Sequence, residues 1–177
     1  MAFYTTDEIE REIERFAGGI DILRSAVAGL SPDQFRERPV PGKWSMLECV
    51  CHMADFEPIL AYRMKCMLSF DRPELVGIDE SAYAAGLHYT KRDIIEELNI
   101  FTSTRSQLLT IFGALEPGDW SRTGMHTELG EISFFAYLKG ASGHLEHHMQ
   151  HMNDKRVALG LPPVPCADSR DYPARPD

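Results

Sequence analysis

Apolar residues recur along most of the chain at helical rather than strand spacing. Ile9, Ile13, Phe16, Ile20, Leu23, Val27 and Leu30 alternate steps of four and three. That is the seam of a helix packed nearly parallel to its neighbours. It predicts a first helix from about Asp7 to Leu30, opened by a capping box of Thr5 and Glu8. Gly18 and Gly19 interrupt the seam and mark a slight bend or a close approach. Ser31 and Gln34 box a short turn, and a proline-containing loop follows from Arg36 to Lys43. A second capping box, Ser45 with Glu48, opens a helix reaching about Ser69. Pro58 inside it is expected to kink rather than end it, because apolar spacing resumes at Leu60, Met64 and Leu68.

The next stretch, Phe70 to Tyr89, has no periodicity, and connections this long are often functional. Thr90 is expected to cap a third helix running to about Leu115, with Asp93 in its first turn. Its seam is Ile94, Leu98, Phe101, Arg105, Leu108, Phe112 and Leu115, with Arg105 the one polar break. Glu116 to Glu131 reads as a loop. Ser133 opens a fourth helix that Gly160 and Pro162 stop. The expectation is an all-α four-helix bundle over residues 1–161, with a proline- and charge-rich extension over 162–177.

Composition narrows the function. The 177 residues suit one domain and, at 44% hydrophobic, can bury a core without staples. No apolar run is long enough to cross a membrane. The acidic, polar start, Met1 to Glu14, lacks a signal peptide's basic and apolar regions, so a cytoplasmic location is expected. A net charge of −9 repels nucleic-acid phosphate and anionic lipid, which removes both as expected partners. Cys49, Cys51, Cys66 and Cys166 match neither a disulfide framework nor a CxxC zinc site. Cys49 and Cys51 read as small buried hydrophobes.

Candidate chemistry lies in the histidines. His144 and His148 are one turn apart on the fourth helix, about 40° apart around its axis, at a spacing suited to one ion. The seam Phe134, Leu138, Ala141, Leu145, His148, Met152 aims His148 into the bundle. His147 and His151 make a rival pair toward the seam's edge, or a solvated face. A third ligand is needed, and His52 is the other histidine within a long helix. Three neutral imidazoles leave coordination positions open, as catalytic sites do. The donor type suits zinc, nickel, cobalt or iron. HExxH, paired ExxH, GxSxG, phosphate-loop and dinucleotide motifs are absent.

The segments PVPGKWSMLECVCHMAD (39–55) and GEISFFAYLKGASGHLEHHMQH (130–151) resemble the DinB/YfiT-like family. The resemblance extends over about Asp7 to Leu161. It implies an up-down-down-up bundle, often dimeric. It also implies a nickel or zinc ion (cobalt, iron or manganese as alternatives) on His52, His144 and His148. It implies a small-molecule substrate and metal-dependent transfer of a low-molecular-weight thiol of the bacillithiol or mycothiol type, or a related hydrolysis. A non-catalytic metal- or ligand-binding stress-response module is the alternative. His151 departs from the family, which often has Gln there.

Around this site several residues have two readings. Glu48 completes its capping box first and is a base second. Asp55, one turn from His52, is a candidate catalytic group or orients an imidazole. Arg105 is a candidate for binding the carboxylate of a thiol cosubstrate, against pairing with a neighbouring acid. Tyr83 and His88 are packing residues first and a cover over the site second. Trp44 is expected to anchor the core at the bundle end. Apolar Ile22, Ile95 and Phe135, outside the seams, add to the homodimer expectation.

Overall fold

The computed structural model describes residues 4–166. Its helices are α1 (Thr6–Val27), α2 (Met46–Ser69), α3 (Glu80–Gly86), α4 (Ile94–Phe112) and α5 (Phe134–Ala158). The strands are β1 (Glu74–Leu75), β2 (Thr123–His126) and β3 (Gly130–Ser133). Both expected capping boxes form: Thr5 Oγ1 accepts from Glu8 N, and Ser45 Oγ from Glu48 N, each with the reciprocal glutamate bond. Ser133 caps α5 through Ala136 N. The third cap differs from expectation. Asp93, not Thr90, closes the start of α4, accepting from Ile95 N at 2.8 Å and Glu96 N at 3.2 Å. Aspartate caps more strongly than threonine, and Thr90 falls in a 3-10 turn, Tyr89–Lys91. Helix α2 runs unbroken through Pro58, whose ring faces solvent.

Two apolar clusters fill the bundle, one at each end. The first gathers Leu23, Met46, Val50, Met53, Leu98, Leu145 and Met149; the second Phe16, Leu60, Met64, Leu108, Phe112, Phe134 and Leu138. The clusters therefore join the end of α1 to the starts of α2 and α4 and the end of α5. Helices α1 and α5 run one way, α2 and α4 the other. Helix α2 packs on α4, and α1 on α5. The order is up-down-down-up. Neighbours α2 and α4 are parallel, so the chain between them must travel the length of the bundle. That is why the connection over 70–93 is long; expected to be aperiodic, it carries β1, α3 and the 3-10 turn Tyr89–Lys91, elements too short to show periodicity. Arg63 of α2, 3% exposed, ties this crossover down by donating to Val76 O, and it also meets Tyr137 Oη at 3.1 Å.

A three-stranded sheet, β1–β2–β3, closes the second end; β1 pairs parallel to β2, and β2 antiparallel to β3. The expectation of a plain loop over 116–131 missed this hairpin, because strands of four residues carry too little alternation to read. Phe135 is buried against Tyr4 and Trp120, so it is not available to a partner face. Of the expected extension, residues 162–166 dock on α5: Asn153 brackets Val164 through both its amide atoms, and Arg156 donates to Pro162 O at 2.8 Å. The rest of 162–177 lies outside the described residues. Among the described residues no helix is long and apolar enough to cross a membrane.

Candidate metal centre

Helices α2 and α5 are adjacent, and the second turn of α2 faces the middle of α5. His52 thereby meets His144 and His148. His144 Nε2 lies 3.1 Å from His52 Nε2 and 3.1 Å from His148 Nε2. Three donor nitrogens lie within 4.8 Å of one another. Two nitrogens on one tetrahedral zinc, with bonds of about 2.0 Å, stand roughly 3.3 Å apart. The two 3.1 Å separations are those of ligands around a single ion. His52 and His144 are buried and His148 half-buried. Burial, followed by the neighbouring His52, His147, His151 and Lys155, holds the His148 imidazole well below the ordinary histidine pKa. A neutral ring keeps its lone pair at neutral pH, as ligation requires.

The walls fix these rings. Phe56 lies 4.2 Å from the His144 ring and Trp44 5.4 Å from that of His52, measured between centroids. Trp44, expected as a core anchor, packs partly on the first apolar cluster and also lines a pocket. That pocket, of about 230 Å3, opens beside the triad. His148, His147, His151, Glu80, Cys49 and Lys155 also line it. The rival pair His147 and His151 therefore borders the triad, the two rings 5.0 Å apart.

Glu80 is the residue that sequence reasoning missed. Its Oε2 lies 3.8 Å from His52 Nε2, and its side chain is 38% exposed. It opens α3, which Asp79 caps through Ala82 N at 2.9 Å. The only local signal was this capped acidic turn inside an otherwise aperiodic stretch. Nothing within four residues connects Glu80 to His52.

Other expected residues sit elsewhere. Asp55 accepts from Arg92 Nη1 at 2.7 Å, and Arg92 also pairs with Glu97. Arg105 is not brought to the pocket. It is fully buried, its Nε and Nη2 each 2.9 Å from a Glu57 oxygen, with Nη1 donating to Phe16 O. Glu48 keeps its capping role and also receives Arg38. Tyr83 packs on the first cluster and His88 is exposed; neither lines the pocket. Cys49 and Cys51 are buried as expected, and burial, its largest cause, pushes the Cys51 thiol up to about 12.

Fold and triad together define a four-helix bundle protein in which three histidines converge as a candidate metal site. The chain belongs to the DinB superfamily, whose family model matches residues 15–152. A relative from Oceanobacillus iheyensis is 24% identical over 131 residues, 74% of this chain and 76% of that protein. One from Bacillus licheniformis is 24% identical over 156 residues, 85% of this chain and 89% of that protein. Both bear the name "Putative metal-dependent hydrolase". Among solved structures, YfiT from Bacillus subtilis matches with a TM-score of 0.82 at 19% identity, over 89% of this chain and 91% of that one. It is described as "a probable metal-dependent hydrolase with an unusual four-helix bundle topology". A mycothiol-dependent maleylpyruvate isomerase matches with a TM-score of 0.60 at 14% identity, over 86% of this chain and 61% of that one. At these identities the structural likeness establishes the shared bundle.

Proposed function

We propose that the protein holds one divalent ion on His52, His144 and His148 and acts as a small-molecule enzyme. In this reading it delivers a thiol, or water, to an electrophilic substrate. The observation that carries the proposal is the convergence of three imidazole nitrogens within 4.8 Å of one another beside an open pocket. The names of the relatives, metal-dependent hydrolases, and of the mycothiol-dependent structural neighbour support the same chemistry. Nickel or zinc suits the donor set first, with cobalt, iron or manganese next. When bound, such an ion supplies Lewis acidity and lowers the pKa of the nucleophile.

The chain's own residues do the rest. The three imidazoles orient the site, and Phe56 and Trp44 pack against the rings of His144 and His52. Glu80, with Oε2 3.8 Å from His52 Nε2, is placed to accept the nucleophile's proton. Asp55 acts as a positioning residue: its bond to Arg92 anchors the crossover that carries Glu80. The buried Cys49 and Cys51 thiols, both raised in pKa chiefly by burial, are poor nucleophiles, so a reacting thiol comes from solution.

Metal analysis of protein purified without a histidine tag tests this reading. One ion per chain is expected, falling to near zero in His148→Ala. In cobalt-loaded protein a small thiol should raise a thiolate-to-metal charge-transfer band, lost in His144→Ala. Full metal content in all three single alanine variants would overturn the site assignment. Intact metal content with no band and no turnover of electrophiles would favour the non-catalytic module. A homodimer belongs to the same reading, since Ile95 (60% exposed) and Ile100 (41%) leave apolar surface on α4. Sedimentation at micromolar concentration should then give twice 20.0 kDa, and a 20.0 kDa species alone would remove the dimer.

A further inference from the structure

We infer that the pocket beside the triad is built for a carboxylate-bearing small molecule, held by Lys155 with help from Lys43. This rests on the proposed metal site and adds the class of ligand it takes. Lys155 is 1% exposed yet lines the pocket. An ammonium has three N–H donors. One goes to His151 O at 2.9 Å, and the Cys49 thiol lies beside the nitrogen. That thiol, raised chiefly by burial, is neutral at physiological pH and offers no counter-charge. Among the described residues Lys155 has no carboxylate partner. The nearby Glu48 is committed to Arg38 and to the start of α2. A buried cation without an anion is costly, and a ligand carboxylate would supply one.

Geometry sets the reach. Lys155 and His148 are seven residues apart on α5, two turns along one face. The lysine leans back toward the helix start, because its Nζ reaches the carbonyl of His151. The ammonium, bonded to the His151 carbonyl, thus sits beyond residue 151 on the C-terminal side of His148, between one and two turns along the helix. A short thiol carboxylate, with two or three carbons between sulfur and carboxylate, is the class of ligand that would reach both the triad and Lys155. Exposed Lys43 adds a second cation to the pocket lining, while Glu80 stands on the His52 side. On a chain with net charge −9, these lysines also give the pocket a local field that draws in anions.

The test compares 3-mercaptopropionate with uncharged 2-mercaptoethanol on the cobalt-loaded protein. The charge-transfer band and calorimetry are read on the same solutions. The acid should bind at least about tenfold tighter, as expected for one charge-assisted hydrogen bond. Lys155→Met, which keeps the apolar stem, should erase that preference while cobalt content stays at one per chain. Lys43→Gln, on an exposed residue that cannot disturb the core, should lower it about two- to threefold, and added salt should do the same. A preference that survives in Lys155→Met would show that the carboxylate chelates cobalt instead, and would overturn the inference. Equal affinity for the two thiols would overturn it as well, leaving the metal site standing. Lys155-dependent binding of the acid by calorimetry without any band would uphold the carboxylate site and remove the thiol chemistry.

Discussion

Two of the polar clusters buried between the helices are built on opposite principles. Arg105 and Glu57 form a closed pair. The guanidinium meets both carboxylate oxygens at 2.9 Å and the Phe16 carbonyl, and lies 4.0 and 4.4 Å from the centroids of Phe16 and Phe101. Charge and donors are matched within the chain, so nothing is left for a ligand. His52, His144 and His148 bring three like donors together, with no opposite charge among the three. Such a cluster becomes complete when a cation enters it. Burial alone therefore does not mark a functional site; the sign and complementarity of what is buried does.

Breaking the closed pair should have the largest effect. Glu57→Ala leaves a buried guanidinium unpaired and should cost about 3–5 kcal/mol in urea unfolding. Metal content per folded chain should not change. His144→Ala should do the reverse, leaving metal-free stability within about 1 kcal/mol of the parent and abolishing the gain in Tm on adding metal. If the two variants behave alike, the distinction between the clusters fails.

Gly19→Ala should come next. A Cβ there would stand 2.1 Å from Arg105 Nη1 and 2.6 Å from Leu145 Cδ2. The glycine is what lets the guanidinium lie across α1. The methyl should cost about 1–3 kcal/mol by displacing a locked side chain, whereas Gly18→Ala, with no atom within 4 Å, should be neutral or stabilising. Equal effects at the two glycines in thermal melts would count against this account.

The smallest effect belongs to Glu48, a closed polar group at the triad's own end of the bundle. Burial raises its pKa, but bonds from Arg38 and Ser45 outweigh this, and the carboxyl lies below its ordinary value. A carboxyl lowered in the folded state adds stability above its unfolded pKa, about 4.3, and loses it as pH falls through the folded value. Glu48→Gln should cost about 1 kcal/mol or less at pH 7 and flatten the acid limb of the stability curve below about pH 4.5. An unchanged acid limb would mean the bonds to Glu48 contribute nothing.

The amino-acid sequence by itself determined the four long helices and half of the site, but not the short helix α3. Thr5 with Glu8, Ser45 with Glu48, and Ser133 are caps whose partners lie three residues away, so the physics is local and readable. The same holds for His144 and His148, whose one-turn spacing puts them on one helix face before any folding. The direction of their rings into the bundle followed from the seam around them. Tertiary structure alone decided the rest. Asp93 displaced Thr90 as a cap because the crossover ends in a 3-10 turn. Arg105 found Glu57 48 residues away rather than a ligand. Glu80 reached His52 because the parallel pair α2 and α4 forces the chain back along the bundle, past the histidines. Lys155 looks in sequence like an ordinary cation of a helix's last turn; packing buried it in a pocket where its bond goes to the His151 carbonyl rather than to a carboxylate. Caps and periodicity are written within four residues, whereas the partner of a buried charge is chosen by which distant helix packs against it.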